Sequence, residues 1–171
     1  MTQVLISLVE IARLRRDPSV LPASIVLLVV MAAAYAGSSA MQSWMLYSDD
    51  RLLARTAADL GLTLAVFWIL LAAARRPHRY LQTMSAALGT TVLLTPFVLM
   101  LFGLRQQAAA NETVKLLVGM SSIAVIVWYV LIIGHILRGA LEIGFVTGIA
   151  LAMTYQIASD ALLARLFPGA V

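Results

Sequence analysis

The sequence predicts an all-α fold: a polytopic helical bundle integral to a membrane, with about five transmembrane helices behind an N-terminal amphipathic helix. Three observations carry this. Hydrophobic residues make up 62% of the chain and charged ones 12%, against roughly half and a quarter in soluble domains, and the mean hydropathy is +0.96. The uncharged residues fall into long runs, most of them near the roughly 20 residues that a hydrocarbon core demands of a helix. Arginines collect where those runs end. Lipid is therefore the solvent in which the chain folds, and 171 residues leave little for a separate soluble domain.

Residues 1–17 read as an interfacial helix. In MTQVLISLVEIARLRR, Val4, Leu5, Leu8, Ile11 and Ala12 take one side and Gln3, Ser7, Glu10 and Arg13 the other. That is the pattern of a helix lying in the headgroup plane; an ordinary exposed leader is the plainer reading of the same residues. Asp17-Pro18 then supplies an N-cap and a proline at the first helical position. Residues 18–171 form the transmembrane domain, its first span near 20–45. Ala34-Tyr35-Ala36 also matches a signal-peptidase site, but the apolar run continues to a Trp44/Tyr47 pair, as a retained span with an aromatic anchor would.

The second span, near 57–74, is short. Its uncharged part, Gly61 to Ala74, covers about 21 Å at 1.5 Å per residue, less than the roughly 30 Å core. Asp59 must then sit at or just inside the headgroup boundary, with Arg55 one turn away as its expected partner. The third span, near 81–104, carries Thr90, Thr91, Thr95 and Pro96. The proline removes a backbone bond, so a kink is expected near Val92, with threonine hydroxyls serving the freed carbonyl. Asn111 caps the fourth span, near 114–137, and the fifth, near 141–166, stops before Pro168-Gly169.

Between the last two spans lies GHILRGALEIGFVTG. On an unbroken helix His135, Arg138 and Glu142 would share a face, a candidate for proton or ion handling. A tight hairpin explains them without chemistry: His135 and Arg138 in the last turn of one helix, Gly139 as its stop, and Glu142 in the first turn of the next, each matched to a helix dipole. Ala140, Gly144, Gly148 and Ala152 recur at every fourth position, a small-residue row suited to close helix packing. Gln156 and Asp160 share a face of the last span, where polar groups usually point inward. With Asp59 they are expected to form a polar cluster closed by Arg55 or Arg165.

Orientation follows from the arginines. One side collects Arg13, Arg15, Arg16, Arg75, Arg76, Arg79 and Arg138; the other holds Arg51, Arg55, Arg105, Lys115 and Arg165. The two triplets Arg13/Arg15/Arg16 and Arg75/Arg76/Arg79 are expected to meet anionic lipid headgroups, which places the N-terminus in the cytoplasm and the C-terminus outside. Arginine in preference to lysine, among abundant Ala, Leu and Val, fits a GC-rich bacterial genome and hence a cytoplasmic (inner) membrane.

Some chemistry is not indicated. The chain has no cysteine and two histidines, and it contains no H-E-x-x-H, G-x-S-x-G or phosphate-binding glycine loop. No cofactor, metal or catalytic set is expected, and no basic run is dense enough for nucleic acid. The two halves do not repeat each other as transporter halves do. Two roles stay in play: a partner or oligomer built on helix contacts, and a small channel or proton or ion carrier using His135 and Glu142 at one side and Asp59, Gln156 and Asp160 at the other.

RRDPSVLP after the leader, RRPHRYLQ before the third span, the proline-bearing ALGTTVLLTPFVLML and the close pair WYVLIIGHILRGALEIGFVTGIALA together resemble the Yip domain family, the Ypt/Rab-interacting membrane proteins, in particular its small bacterial members. The resemblance implies a five-helix bundle with a cytoplasmic N-terminus, non-enzymatic, acting in membrane organisation or as a partner of other membrane proteins. The acidic-tyrosine-glycine-proline motif of the Rab-linked eukaryotic members is absent.

Overall fold

The computed structural model describes residues 2–46, 51–107 and 111–167, and within them regular structure is helical, with no strand. The helices are α1 (Thr2–Ala12), α2 (Ile25–Leu46), α3 (Leu52–Ala73), α4 (Tyr80–Gln107), α5 (Glu112–Leu141) and α6 (Phe145–Leu166), with single 3-10 turns at Pro18–Val20 and Pro77–Arg79. Five of them, α2 to α6, are long and apolar enough to cross a membrane. The protein is an integral membrane helical bundle. Tyr47, residues 108–110, Pro168 and Gly169 lie outside the described residues.

Boundaries shift where local chemistry dictates. The first span begins at Ile25, because Asp17 and Leu21 are extended around the 3-10 turn and Asp17 makes no side-chain cap. The second starts at Leu52, which repairs its short length by taking Arg55 and Asp59 into the helix. Asn111 does cap α5, its side chain accepting from the N–H groups of Thr113 and Val114. Pro96 stands inside a continuous α4. The threonine hydroxyls around it donate to the carbonyls of Ala86, Ala87 and Thr91, not to that of Val92.

Each spanning helix packs on the next in the cycle α2, α3, α6, α5, α4, which closes on α2, and α4 also touches α3. The half of this ring nearest α1, here the leader end, is filled. Phe67, Leu71, Met84, Leu88, Ile132, Ile136 and Leu137 are at most 1% exposed. Lipid provides no hydrophobic drive between helices, so close backbone approach has to hold the ring together. The α5/α6 pair shows how. Gly148 backs onto the carbonyl of Gly134 with no room for a Cβ, and a Cβ on Gly134 would lie 3.0 Å from Ile149 Cα.

The leader helix departs from expectation. Its buried face is Ser7, Leu8, Ile11 and Ala12, whereas Leu5 and Ile6 are half exposed. Rather than dividing into one apolar and one polar side, α1 docks on α4 and α5 and turns a second apolar strip outward. Gly89 makes the dock possible, since a Cβ there would meet the Leu8 methyls at 2.8 Å. Trp128 Nε1 donates to the Ala12 carbonyl at 2.9 Å and His135 Nε2 pairs with that of Arg16 at 3.0 Å. The Ala12 carbonyl, which the helix C-terminus leaves bare, and the Arg16 carbonyl beyond it are thus met by the bundle.

Three helices stop at the leader end in one way. Leu14, Arg75 and Glu142 adopt left-handed conformations at φ 59, 58 and 54. The following N–H reaches back five residues in each case, Arg15 to Glu10, Arg76 to Leu71 and Ile143 to Arg138. This is the Schellman geometry that glycine usually serves; a side chain at such φ costs on the order of 1 kcal/mol.

Candidate functional site

In the far half of the ring the packing opens into a cavity of about 380 Å³ to which all five spanning helices contribute, with polar side chains set among apolar ones, Leu94, Val98, Val125 and Ile126. Asp59 enters from α3, about 10 Å below Leu52, and Asp160 from α6, about 9 Å below Leu166, counting 1.5 Å per residue. Tyr35, Ser38, Ser39 and Gln42 form the α2 wall, at the i, i+3, i+4, i+7 spacing of one helix face. Thr91 and Thr95 come from α4, Tyr129 from α5, and Tyr155, Gln156 and Ser159 from α6.

Asp59 organises this set. Its Oδ2 accepts from Tyr35 Oη at 2.6 Å and from Ser39 Oγ at 3.3 Å. Its backbone carbonyl accepts from Thr63 Oγ1 at 2.8 Å, and the Thr63 and Tyr155 hydroxyls lie 2.7 Å apart. Since the Thr63 proton is committed to the carbonyl, Tyr155 is the donor in that contact. Gln156 Nε2 donates to both oxygens of Asp160, at 3.1 and 3.0 Å. Thr91 and Thr95 donate to carbonyls of their own helix, and the Thr95 oxygen in turn accepts from Gln42 Nε2 at 3.4 Å. Tyr155 also packs edge-on against Phe67 at 5.6 Å, where the apolar plug of the leader end begins.

Among the sequence-derived candidates, Asp59, Gln156 and Asp160 come together in this cavity. Hydroxyls and an amide contact the carboxylates directly, Arg55 acts on Asp59 through its charge from outside the lining, and Arg165 is not among the lining residues. Sequence reasoning passed over Tyr35, Ser38, Ser39, Gln42 and Tyr129. Their α2 spacing was the available signal.

His135, Arg138 and Glu142 are not one site. His135 is buried and bound to the leader strap; the carbonyl can only accept, so that pairing places a proton on Nε2. Arg138 is exposed. Glu142 caps α5 in the left-handed region instead of opening α6, and Gly139 lies within α5, where it admits the Asp17 carboxyl and Pro18. An acid at the negative end of a helix is disfavoured, and the neighbouring turn compensates. Arg76 and Arg79 both pair with the Glu142 carboxylate, Arg79 Nη2 at 2.7 Å, while Arg79 Nη1 donates to the Gly139 carbonyl at 2.9 Å. The Arg76 hydrogen bond outweighs desolvation and holds the Glu142 carboxyl below the usual carboxylate range, with Arg79 adding to it. The same bond raises Arg76.

The small-residue row is also divided. Ala140 belongs to α5 and Gly144 is an exposed turn residue preceding α6, so only Gly148 and Ala152 lie on α6. Of the headgroup candidates, Arg13, Arg15 and Arg75 are exposed, Arg16 pairs with Glu10 at 2.6 Å, and Arg76 and Arg79 are engaged by Glu142. Comparison with protein-family models, curated proteins and solved structures gives no match for this chain.

Proposed function

We propose that this is a non-enzymatic membrane protein that binds a small organic cation in the five-helix cavity. The observation that carries the reading is the composition of the lining. Its ionisable side chains are two carboxylates and three tyrosines, with no Lys, Arg or His. A volume of about 380 Å³ is far more than one water or bare ion needs and falls at the lower end of small-molecule sites. Tyrosine faces attract ammonium groups by about 0.5–2 kcal/mol each, and the carboxylates supply the opposite charge.

The arginine distribution supports a cytoplasmic leader end, which faces the cavity half outward, in a bacterial inner membrane. The Yip-like reading, a helix-contact partner or oligomer, has the sequence resemblance in its favour. It draws less from packing, because Gly148, Ala152 and Ala140 are buried within the chain itself.

Fluorescence titration of the protein in nanodiscs with tetramethylammonium tests the proposal. Saturable binding, weakened about tenfold or more by Asp59→Asn with Asp160→Asn, is expected for a charge-assisted site. An unsaturable response, or one untouched by the double substitution, would overturn it.

A further inference from the structure

We infer that the ligand is an amphiphilic cation, a single apolar chain ending in an ammonium group, admitted from the lipid through the seam between α3 and α6. This rests on the reading of the polar cavity as a cation site. Beside that cavity runs an apolar groove of about 230 Å³ between Leu62, Val66 and Leu70 of α3 and Leu151, Ala158 and Leu162 of α6. Tyr155 and Ser159 line both spaces, so the two are neighbours separated by one hydroxyl and one aromatic ring, the latter held to Thr63 of α3 by the 2.7 Å contact, and the chain enters as that ring swings aside. Leu162 is 42% exposed and the groove has no charged wall.

The relative depths give such a ligand a direction along the bundle. Leu70 lies about 16 Å deeper along α3 than Asp59, and Leu151 about 13 Å deeper along α6 than Asp160, at 1.5 Å per residue. An ammonium group between the carboxylates would sit uppermost, with its chain running down the groove past the middle of the spanning helices toward the leader end. Charge selects among amphiphiles. A phosphate or sulfate headgroup would meet two carboxylates and no cation in the lining, a like-charge juxtaposition that excludes it.

The test compares tetramethylammonium, decyltrimethylammonium and decyl sulfate on the full chain in nanodiscs, with Ala158→Leu and Thr154→Leu narrowing the groove. Both residues are exposed and line only the groove, so the fold and the polar cavity are preserved. Decyltrimethylammonium should bind more tightly than tetramethylammonium, and each variant should remove about tenfold of that gain while leaving tetramethylammonium unchanged. Partition into the bilayer also favours the longer chain, but it is identical for wild type and variant. Decyltrimethylammonium binding that neither variant alters, or equal binding of decyl sulfate, overturns the amphiphile. If tetramethylammonium still binds, only the chain-binding groove falls; if tetramethylammonium fails on wild type, the cation reading itself falls.

Discussion

The two halves of this ring are built from the same five helices and differ in what stands between them. At the leader end, glycine and alanine let backbones meet, and large apolar side chains exclude everything else. In the far half, tyrosine, serine, threonine and carboxylate side chains line a space they do not fill. Within a membrane, where apolar burial distinguishes inside from lipid only weakly, rigidity comes from van der Waals contact and close approach. A polar, open region is therefore the part that stability does not explain, and the part to which function is best assigned.

The sharpest way to break the contrast is to overpack the tight half. Gly148→Leu should cost about 3 kcal/mol, the upper end for overpacking, in reversible detergent unfolding, because its Cβ collides with a backbone carbonyl. Ile132→Ala, in the fully buried plug, should cost about 2–4 kcal/mol by the same assay. Tyr35→Phe, in the open half, removes one donor to Asp59 and should cost about 1 kcal/mol while weakening cation binding. A stability loss at Tyr35 as large as that at Ile132 would erase the distinction between the halves. Gly144→Ala, four residues from Gly148, brings its Cβ only into ordinary contact with Thr147 Oγ1 at 3.7 Å and should cost no more than about 1 kcal/mol, that of a less favourable N-cap residue.

The Glu142 clamp sharpens the picture through pH. Its folded pKa is depressed, so its contribution is complete above the unfolded value of about 4.3 and is lost as pH falls through the folded value. Wild type should lose melting temperature relative to Glu142→Gln on going from pH 6 to pH 3. Parallel curves would show that the clamp contributes nothing.

Helix number and the spanning regions were legible because they depend on composition and period alone. Three features were not. The docking of α1 was hidden because Ser7 lies on its buried face and Leu5 on its exposed one, a tertiary choice made by Gly89 some eighty residues away. The stops at Leu14, Arg75 and Glu142 carry no glycine to announce them. Gly139 looked like a stop and is a packing site instead. The hydroxyl lining of the cavity was obscured for a further reason: a Ser or Thr within a spanning helix is usually satisfied by its own backbone, as Thr91 and Thr95 are, so only its register against other helices marks it as part of a site.

Thiol labelling tests the central claim most directly, and the absence of cysteine from the chain gives it no background. In intact membranes, Ser38→Cys in the cavity wall and Ile136→Cys in the plug would each be exposed to a cationic and an anionic methanethiosulfonate. The account predicts that Ser38→Cys reacts, faster with the cationic reagent, and that Ile136→Cys stays unmodified. Modification of Ile136→Cys with protection of Ser38→Cys, or a preference for the anionic reagent, would contradict it.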